Sequence, residues 1–143
     1  MKEILLVLTN PYGYEKAIHL AFEEAKQADC FLSVTFAIDP EAIDDLMRDL
    51  GENGWLGIGS RRTLQISMME GYRALATDIL EEVSRRAVSM EIAAKTALNE
   101  DGIRSYLNGL GTPGPEKIFV SGSHALAPLI QTLDCPLEWV PED

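Results

Sequence analysis

The length, composition and charge of this chain limit what it can be. Its 143 residues are typical of one globular domain, and a hydrophobic fraction of 46% is ordinary for a protein with a packed core. The net charge of −11 argues against nucleic acid and anionic lipid as partners, because an acidic body repels both. We therefore expect one domain, residues 1–143, that binds neither nucleic acid nor membranes.

The cysteines and the start of the chain indicate a compartment. Two cysteines far apart in sequence, Cys30 and Cys135, do not make a disulfide framework, so we expect both as buried thiols. The start Met1-Lys2-Glu3 leads directly into an apolar run, which is not the pattern of a signal peptide. No apolar stretch approaches the length of a membrane span. These features predict a cytoplasmic protein.

Apolar runs and helical periodicity alternate along the first two thirds of the chain. In chain order they predict the strand Ile4–Leu8, the helix Glu15–Ala28, the strand Cys30–Ile38, a possible short helix Glu41–Leu50 and the long helix Leu64–Ala87. Four glycines within Gly51–Gly59 argue against a regular element between the last two.

The same alternation continues to the end of the chain. It predicts the strand Met90–Leu98, the helix Ile103–Leu110, the strand Lys117–Val120, the helix Ala125–Leu133 and the strand Leu137–Val140. Asp101 is the expected N-cap of the short helix. Because strands and helices alternate, we expect one parallel sheet with helices on both faces.

Five segments match those of one known family, in order and at suitable spacing. They are Glu3–Asn10 with Glu15–Ala17, Phe36–Pro40, Met90–Ile92 with Asn99–Asp101, Val120–Ser123, and Asp134–Leu137. On these segments the chain resembles the universal stress protein family over nearly its full length. The resemblance implies a five-stranded parallel sheet in the order 3-2-1-4-5, a Rossmann-like α/β fold of the adenine nucleotide alpha hydrolase-like type.

The resemblance also implies a candidate site. In such sheets ligands bind at the carboxyl ends of the strands where the strand order reverses, here between strands one and four. The residues expected to line this pocket are Thr9, Asn10, Ala37, Asp39, Ser121, Gly122 and Ser123.

The residues after the fourth strand depart from the pattern of the family's nucleotide binders. Those members carry a loop of three spaced glycines followed by Ser or Thr, whose amides hold the phosphates. Here only Gly122-Ser123 remains between Val120 and the helix, and Thr9 stands where ATP-binding members have Asp. Both departures favour the members of the family that do not bind ATP.

Two functions of the protein stay open. In the first, the protein is a binding or regulatory module of the stress response, without a cofactor and with an unknown protein partner. In the second, it is a degenerate binder of AMP or ATP, with Gly51–Thr63 as a lid over the pocket. That segment lacks the Gly-Lys-Ser/Thr ending of a P-loop and does not follow a strand directly, so a simple connection is its alternative role.

The sequence contains no convincing catalytic or metal-binding arrangement. Ser123 and His124 beside Asp39 have the composition of a hydrolytic triad, but the Gly-x-Ser-x-Gly pattern of a nucleophile elbow is absent. Ser123 is better explained as a helix N-cap. His19 has no ligands at metal spacing and is expected on the surface. We therefore predict no enzyme activity and no metal.

The last strand predicts an interface. A tryptophan on an exposed edge strand favours pairing with another chain, and the resemblance implies a dimer through antiparallel pairing of the last strands. Leu137 and Trp139 would lie on one face of the strand, and Glu138 and Val140 on the other. The alternative is that Trp139 only covers its own core. We expect a homodimer through Leu137, Trp139 and Val140.

Overall fold

The computed structural model describes residues 2–11, 13–38, 58–110, 114–122 and 137–141. Its elements are β1 (Glu3–Leu8), α1 (Glu15–Ala28), β2 (Phe31–Ala37), α2 (Ile58–Ser89), β3 (Ala94–Asn99), α3 (Ile103–Asn108), β4 (Lys117–Gly122) and β5 (Leu137–Pro141). Some predictions lie outside the described residues: those on Asp39, Ser123, His124 and Cys135, the helices Glu41–Leu50 and Ala125–Leu133, and the first part of Gly51–Thr63.

The five strands form one parallel sheet in the order β3-β2-β1-β4-β5, as predicted. β1 lies at its centre because the apolar run Ile4–Leu8 tolerates cover on both faces, and all of these residues are buried. Successive side chains point to opposite faces of a strand, so Leu6 joins one hydrophobic cluster and Leu5 joins the other.

Helices cover both faces of the sheet, which confirms the predicted fold class. The larger cluster lies under α1 and α2, and α1 contributes the stripe predicted from its periodicity: Ala17, Ile18, Ala21, Phe22 and Ala25. The smaller cluster lies on the other face, where α3 contributes Ile103 and Leu107. A guanidinium joins the two helices of the larger face, because Arg86 of α2 pairs with Glu15 at 3.1 Å and lies over the Phe22 ring.

The long helix begins earlier than predicted. α2 starts at Ile58 rather than Leu64, so Gly59 is helical, although the glycine-rich segment was expected to be irregular to its end. One glycine in a helix costs only about 1 kcal/mol, which the residues that follow it offset. In the described residues no helix, including the 32 residues of α2, is long and apolar enough to cross a membrane.

The turn after α2 corrects the predicted start of the third strand. Met90–Ile92 was expected in the strand, but β3 begins at Ala94. Glu91 adopts the left-handed conformation with φ 58, the Ile92 amide donates to Ala87 O at 2.9 Å, and the Glu91 amide donates to Val88 O at 3.1 Å. These bonds form a Schellman motif, in which the buried Ile92 closes the helix end against the buried Ala87.

The left-handed position of this motif gives a stability prediction. Glu91→Gly is expected to raise the free energy of unfolding by about 0.5–1 kcal/mol, because glycine has no Cβ to strain a positive φ. Urea unfolding of the purified variant measures the change. Glu91→Ala is the control, since it removes the same charge but keeps the Cβ; equal stability of the two variants would contradict the explanation.

The N-cap predicted for the short helix is wrong. The residue at that position is Gly102, with φ 92 and no side-chain cap, and not Asp101. Asp101 lies before the helix, and its backbone amide donates to Asn99 Oδ1 at 3.0 Å. An asparagine side chain can bond the backbone amide two residues further on. Here Asn99, the last residue of β3, forms such a turn in place of a side-chain cap on the helix.

Candidate functional site

The candidate site lies where the strand order reverses, at the carboxyl ends of β1 and β4. β1 pairs with β2 on one side and with β4 on the other, so Thr9 follows the central strand directly. β4 extends through Gly122, which corrects the predicted strand end at Val120 and places Ser121 and Gly122 in the sheet rather than in a turn. Both are buried and pair with β5.

A hydrogen bond joins the two strands across the reversal point. The Thr9 hydroxyl donates to the Ser121 carbonyl oxygen at 2.6 Å. The Thr9 hydroxyl, which was expected to face a ligand, thus binds the neighbouring strand β4. The bond stabilises the closed arrangement of β1 and β4 at this edge.

The Ser121 hydroxyl is also engaged within the protein. It donates to the Gly13 carbonyl oxygen at 3.2 Å, so the turn after β1 is tied to β4. Ser121 is 1% exposed, and a buried hydroxyl without a partner would be costly. Two side-chain hydrogen bonds therefore converge on Ser121 and tie Thr9 and the turn after β1 to β4.

Trp139 lies on β5, next to β4. Its indole N–H donates to the Gly122 carbonyl oxygen at 3.1 Å, and its ring packs against the smaller cluster with Leu137. Val140 lies in the larger cluster, so the predicted alternation of the two faces along this strand is present. The sequence predicted only that Trp139 lies on an edge strand. Its hydrogen bond to Gly122 follows from the pairing of β4 with β5.

The other predicted pocket residues take different places. Ala37 ends β2 and is buried in the smaller cluster, and Asn10 follows Thr9 at the end of β1. Near Ala37, the Thr35 and Tyr106 hydroxyls lie 2.8 Å apart and connect β2 to α3. Sequence reasoning missed this pair, for which the only signal was a threonine within an apolar strand.

The position of Gly122 changes what a substitution there can test. If Gly122 lay in an open turn and the pocket were unused, a bulky side chain there would leave stability nearly intact. Gly122 is instead buried in β4, opposite Pro141. A large side chain at a buried strand position costs about 1–3 kcal/mol through overpacking, so a loss of binding at this residue would not be separable from a loss of stability.

The pKa of one phenol beside the turn is shifted from its ordinary value. Burial raises the pKa of Tyr14 above its ordinary value of 10.0, and the carboxylates of Glu82 and Glu15 add to this effect, while Arg86 opposes it. Tyr14 is therefore a neutral hydroxyl at physiological pH. It supplies no charge to the turn that Ser121 binds.

The chemistry available to the described residues is limited. The Thr9 and Ser121 hydroxyls both donate to carbonyl oxygens, and a nucleophilic hydroxyl needs a base as its acceptor. His19 is a surface residue, as predicted, with its side chain 72% exposed and 3.1 Å from Glu23. In the part of the chain that the structure describes, no group of three or more His, Cys, Asp or Glu side chains is arranged to hold a metal ion.

The bond at Thr9 gives the second prediction. Thr9→Val keeps the side-chain shape and removes the donor, so the free energy of unfolding should fall by about 1–2 kcal/mol. Chemical denaturation measures the loss. The same change at the exposed Thr77 is the control and should stay within about 0.5 kcal/mol of the original protein. Equal effects at the two positions would mean that the bond across the strands contributes nothing.

Two solved structures share this fold. A universal stress family protein from Burkholderia pseudomallei superposes with a TM-score of 0.71 at 19% identity, over 98% of this chain and 96% of that one. The hypothetical protein MJ0577, the subject of a structure-based assignment of biochemical function, gives a TM-score of 0.63 at 11% identity, over 100% and 98% of the two chains. No protein-family model matches this chain, and no curated protein matches it significantly. At these identities the likeness establishes the fold, and it agrees with the resemblance predicted from the sequence.

Proposed function

We propose that the chain is a cytoplasmic module of the universal stress type that acts in the stress response by binding protein partners, as a homodimer, without ATP and without catalysis. The observation that carries the proposal lies in the described part of the strand-order reversal. There the hydroxyls of Thr9 and Ser121 donate to the protein's own carbonyl oxygens.

Nucleotide binding has little support from the described part of the crevice. A triphosphate needs several amide or cationic donors, and a site that binds it well must keep them unpaired. Three side-chain donors next to the reversal point, the hydroxyls of Thr9 and Ser121 and the indole N–H of Trp139, are used within the chain. A net charge of −11 adds long-range repulsion of an anionic ligand.

The position of β5 supports the dimer. The sheet order places β5 at an edge, and no described strand lies beyond it. Leu137 and Trp139 remain half-exposed there, Glu138 is exposed, and the strand carries no lysine or bulge; its proline, Pro141, lies only at the last position. Antiparallel pairing of two β5 strands would extend the sheet and cover these side chains.

Tryptophan fluorescence tests the nucleotide half of the proposal. The chain has two tryptophans, so a Trp55→Phe variant leaves Trp139, whose indole binds the Gly122 carbonyl oxygen, as the reporter of the crevice. Titration with magnesium and ATP, and separately with AMP, should give no saturable change up to millimolar concentration. Sodium sulfate at equal ionic strength is the control.

Saturation at micromolar nucleotide, absent with sulfate, would contradict the proposal. It would favour the alternative of a degenerate adenine-nucleotide binder with Gly51–Thr63 as its lid. The search for phosphate donors would then move to that segment and to the residues after Gly122.

A further inference from the structure

The edge of the sheet opposite β5 has unused bonding capacity. β3 pairs with β2 only, over six residues without a proline or a bulge, and no described strand lies beyond it. No residue of β3 is buried, and Leu98 is 37% exposed. The exposed Lys95 is the one feature of β3 that discourages pairing, and an edge without proline or bulge remains open to another strand.

The ladder between β2 and β3 determines which backbone groups point outward. The Leu32 amide donates to Ala93 O and the Ile38 amide to Asn99 O, at 2.9 and 2.8 Å. In a parallel pair, residues that bond inward alternate with residues that bond outward. The backbone groups of Lys95, Ala97 and Asn99 therefore face β2, while those of Ala94, Thr96 and Leu98 face away from the sheet.

A groove runs beside this edge on the face covered by α2. Its volume is about 430 Å³, and its lining includes Leu80, Glu81, Ser84 and Arg85 of α2 and Thr96 and Leu98 of β3. Leu80 and Leu98 give it an apolar floor. The groove and the outward backbone groups form one continuous surface, which we call the β3 edge surface.

The charges of this surface are self-complementary. Glu81 and Arg85 are both exposed, lie one helical turn apart, and form no ion pair within the described residues. A second copy related by a two-fold axis that passes between Glu81 and Arg85, on the exposed flank of the helix, would run its α2 antiparallel to the first. Glu81 of each copy would then lie opposite Arg85 of the partner subunit.

The backbone has the same symmetry. An axis through Thr96 pairs the outward groups of Thr96 with those of its own copy, and those of Ala94 with those of Leu98. Thr96 and the Glu81–Arg85 turn line the same groove, so the proposed interface uses one axis for both pairings. Leu98, now half-exposed, would be covered.

We propose that the β3 edge surface binds a second copy of this chain through antiparallel β3 pairing and Glu81–Arg85 contacts between the copies. This interface is independent of the one proposed at β5. Where both form, the chain builds assemblies larger than a dimer. Where only one forms, the product is a dimer, and the edge that carries it identifies the interface.

Charge reversal tests the proposal. Glu81→Arg and Arg85→Glu, made singly, place like charges opposite each other and should weaken self-association about tenfold. The double variant exchanges the two charges and should restore it. Sedimentation velocity over a range of concentrations measures the mass, and thermal unfolding at the lowest concentration confirms that all three variants fold.

Amide hydrogen exchange separates this interface from the one at β5. The amides of Thr96 and Leu98 should become protected as concentration rises, while that of Ala97 is protected throughout because it bonds β2. Concentration-independent exchange at Thr96 and Leu98, with unchanged masses in the single variants, would overturn the proposal and leave the edge for an extended segment of another protein. If only the β5 dimer is lost, the concentration-dependent protection of the Thr96 and Leu98 amides remains.

Discussion

Replacement of Phe36 by alanine is expected to lower the free energy of unfolding by about 3–5 kcal/mol. Phe36 is 1% exposed and is among the largest fully buried side chains. It lies in β2 between Leu8 of β1 and Leu98 of β3, so its removal leaves a cavity next to the strand ends that form the crevice. Equilibrium unfolding in urea measures the loss.

Phe31 supplies the matched control in the same strand. It begins β2, is only half-buried, and lies under the Lys95 ammonium group at 5.7 Å. Phe31→Ala should therefore cost about 1 kcal/mol, because little cavity forms at a partly exposed site. A loss at Phe36 no greater than that at Phe31 would contradict the described packing of the larger cluster.

Trp139→Ala is expected to have two effects. The free energy of unfolding should fall by about 2–4 kcal/mol, since the change removes the ring from the smaller cluster and the donor from the Gly122 carbonyl oxygen. If β5 forms the proposed dimer, the change should also abolish that interface, because tryptophans are among the residues that contribute most at interfaces. Urea unfolding and sedimentation measure the two effects separately.

Trp139→Phe separates the hydrogen bond from the packing. It keeps an aromatic ring and removes the indole N–H, so the expected loss is about 1 kcal/mol with self-association largely preserved. If Trp139→Ala lowers stability but leaves the mass of the assembly unchanged at all concentrations, the β5 dimer is wrong. The ring then only covers the protein's own core.

Local periodicity was enough to predict most of the framework. The bounds of α1 match the prediction because its apolar stripe and the turns that flank it are all encoded within one short segment. The continuous run in β1 predicted a central strand, since only a strand covered on both faces has no polar positions. The strand order came from the family resemblance, and the structure agrees with it.

The errors occur where a contact distant in sequence or a capping turn decides the outcome. Met90–Ile92 were predicted to begin the third strand, but the Schellman bond from Ile92 to Ala87 places them at the helix end. Ser121 and Gly122 read as a turn, yet pairing with Val140 and Pro141 keeps them in β4. Turn propensity is a local preference, and strand pairing overrides it.

The sequence placed Thr9 and Ser121 at the ends of neighbouring strands but could not predict their hydrogen bonds. β1 pairs with β4 with Leu8 beside Ser121, so Thr9 follows within reach of that residue. The bond between Thr9 and Ser121 joins residues separated by 112 positions, and no pattern in the sequence specifies its geometry. The sequence therefore named both residues as pocket residues without predicting that their hydroxyls bind backbone carbonyl oxygens.

The two sheet edges and the internal hydrogen bonds of Thr9 and Ser121 support the proposal that this chain recognises other proteins. One edge carries Trp139, the other carries Leu98 with the charges of α2, and both strands have a side without a described neighbour. Under that proposal, the search for partners begins with proteins rather than with small anionic ligands.

Native mass spectrometry of the freshly purified protein, followed by addition of magnesium and ATP, is the most direct test of the proposed homodimer that binds no ATP. We expect a mass of two or more chains with no retained nucleotide, and no mass shift at millimolar ATP. A co-purified adenine nucleotide, or a shift of one nucleotide per chain that saturates, would contradict it.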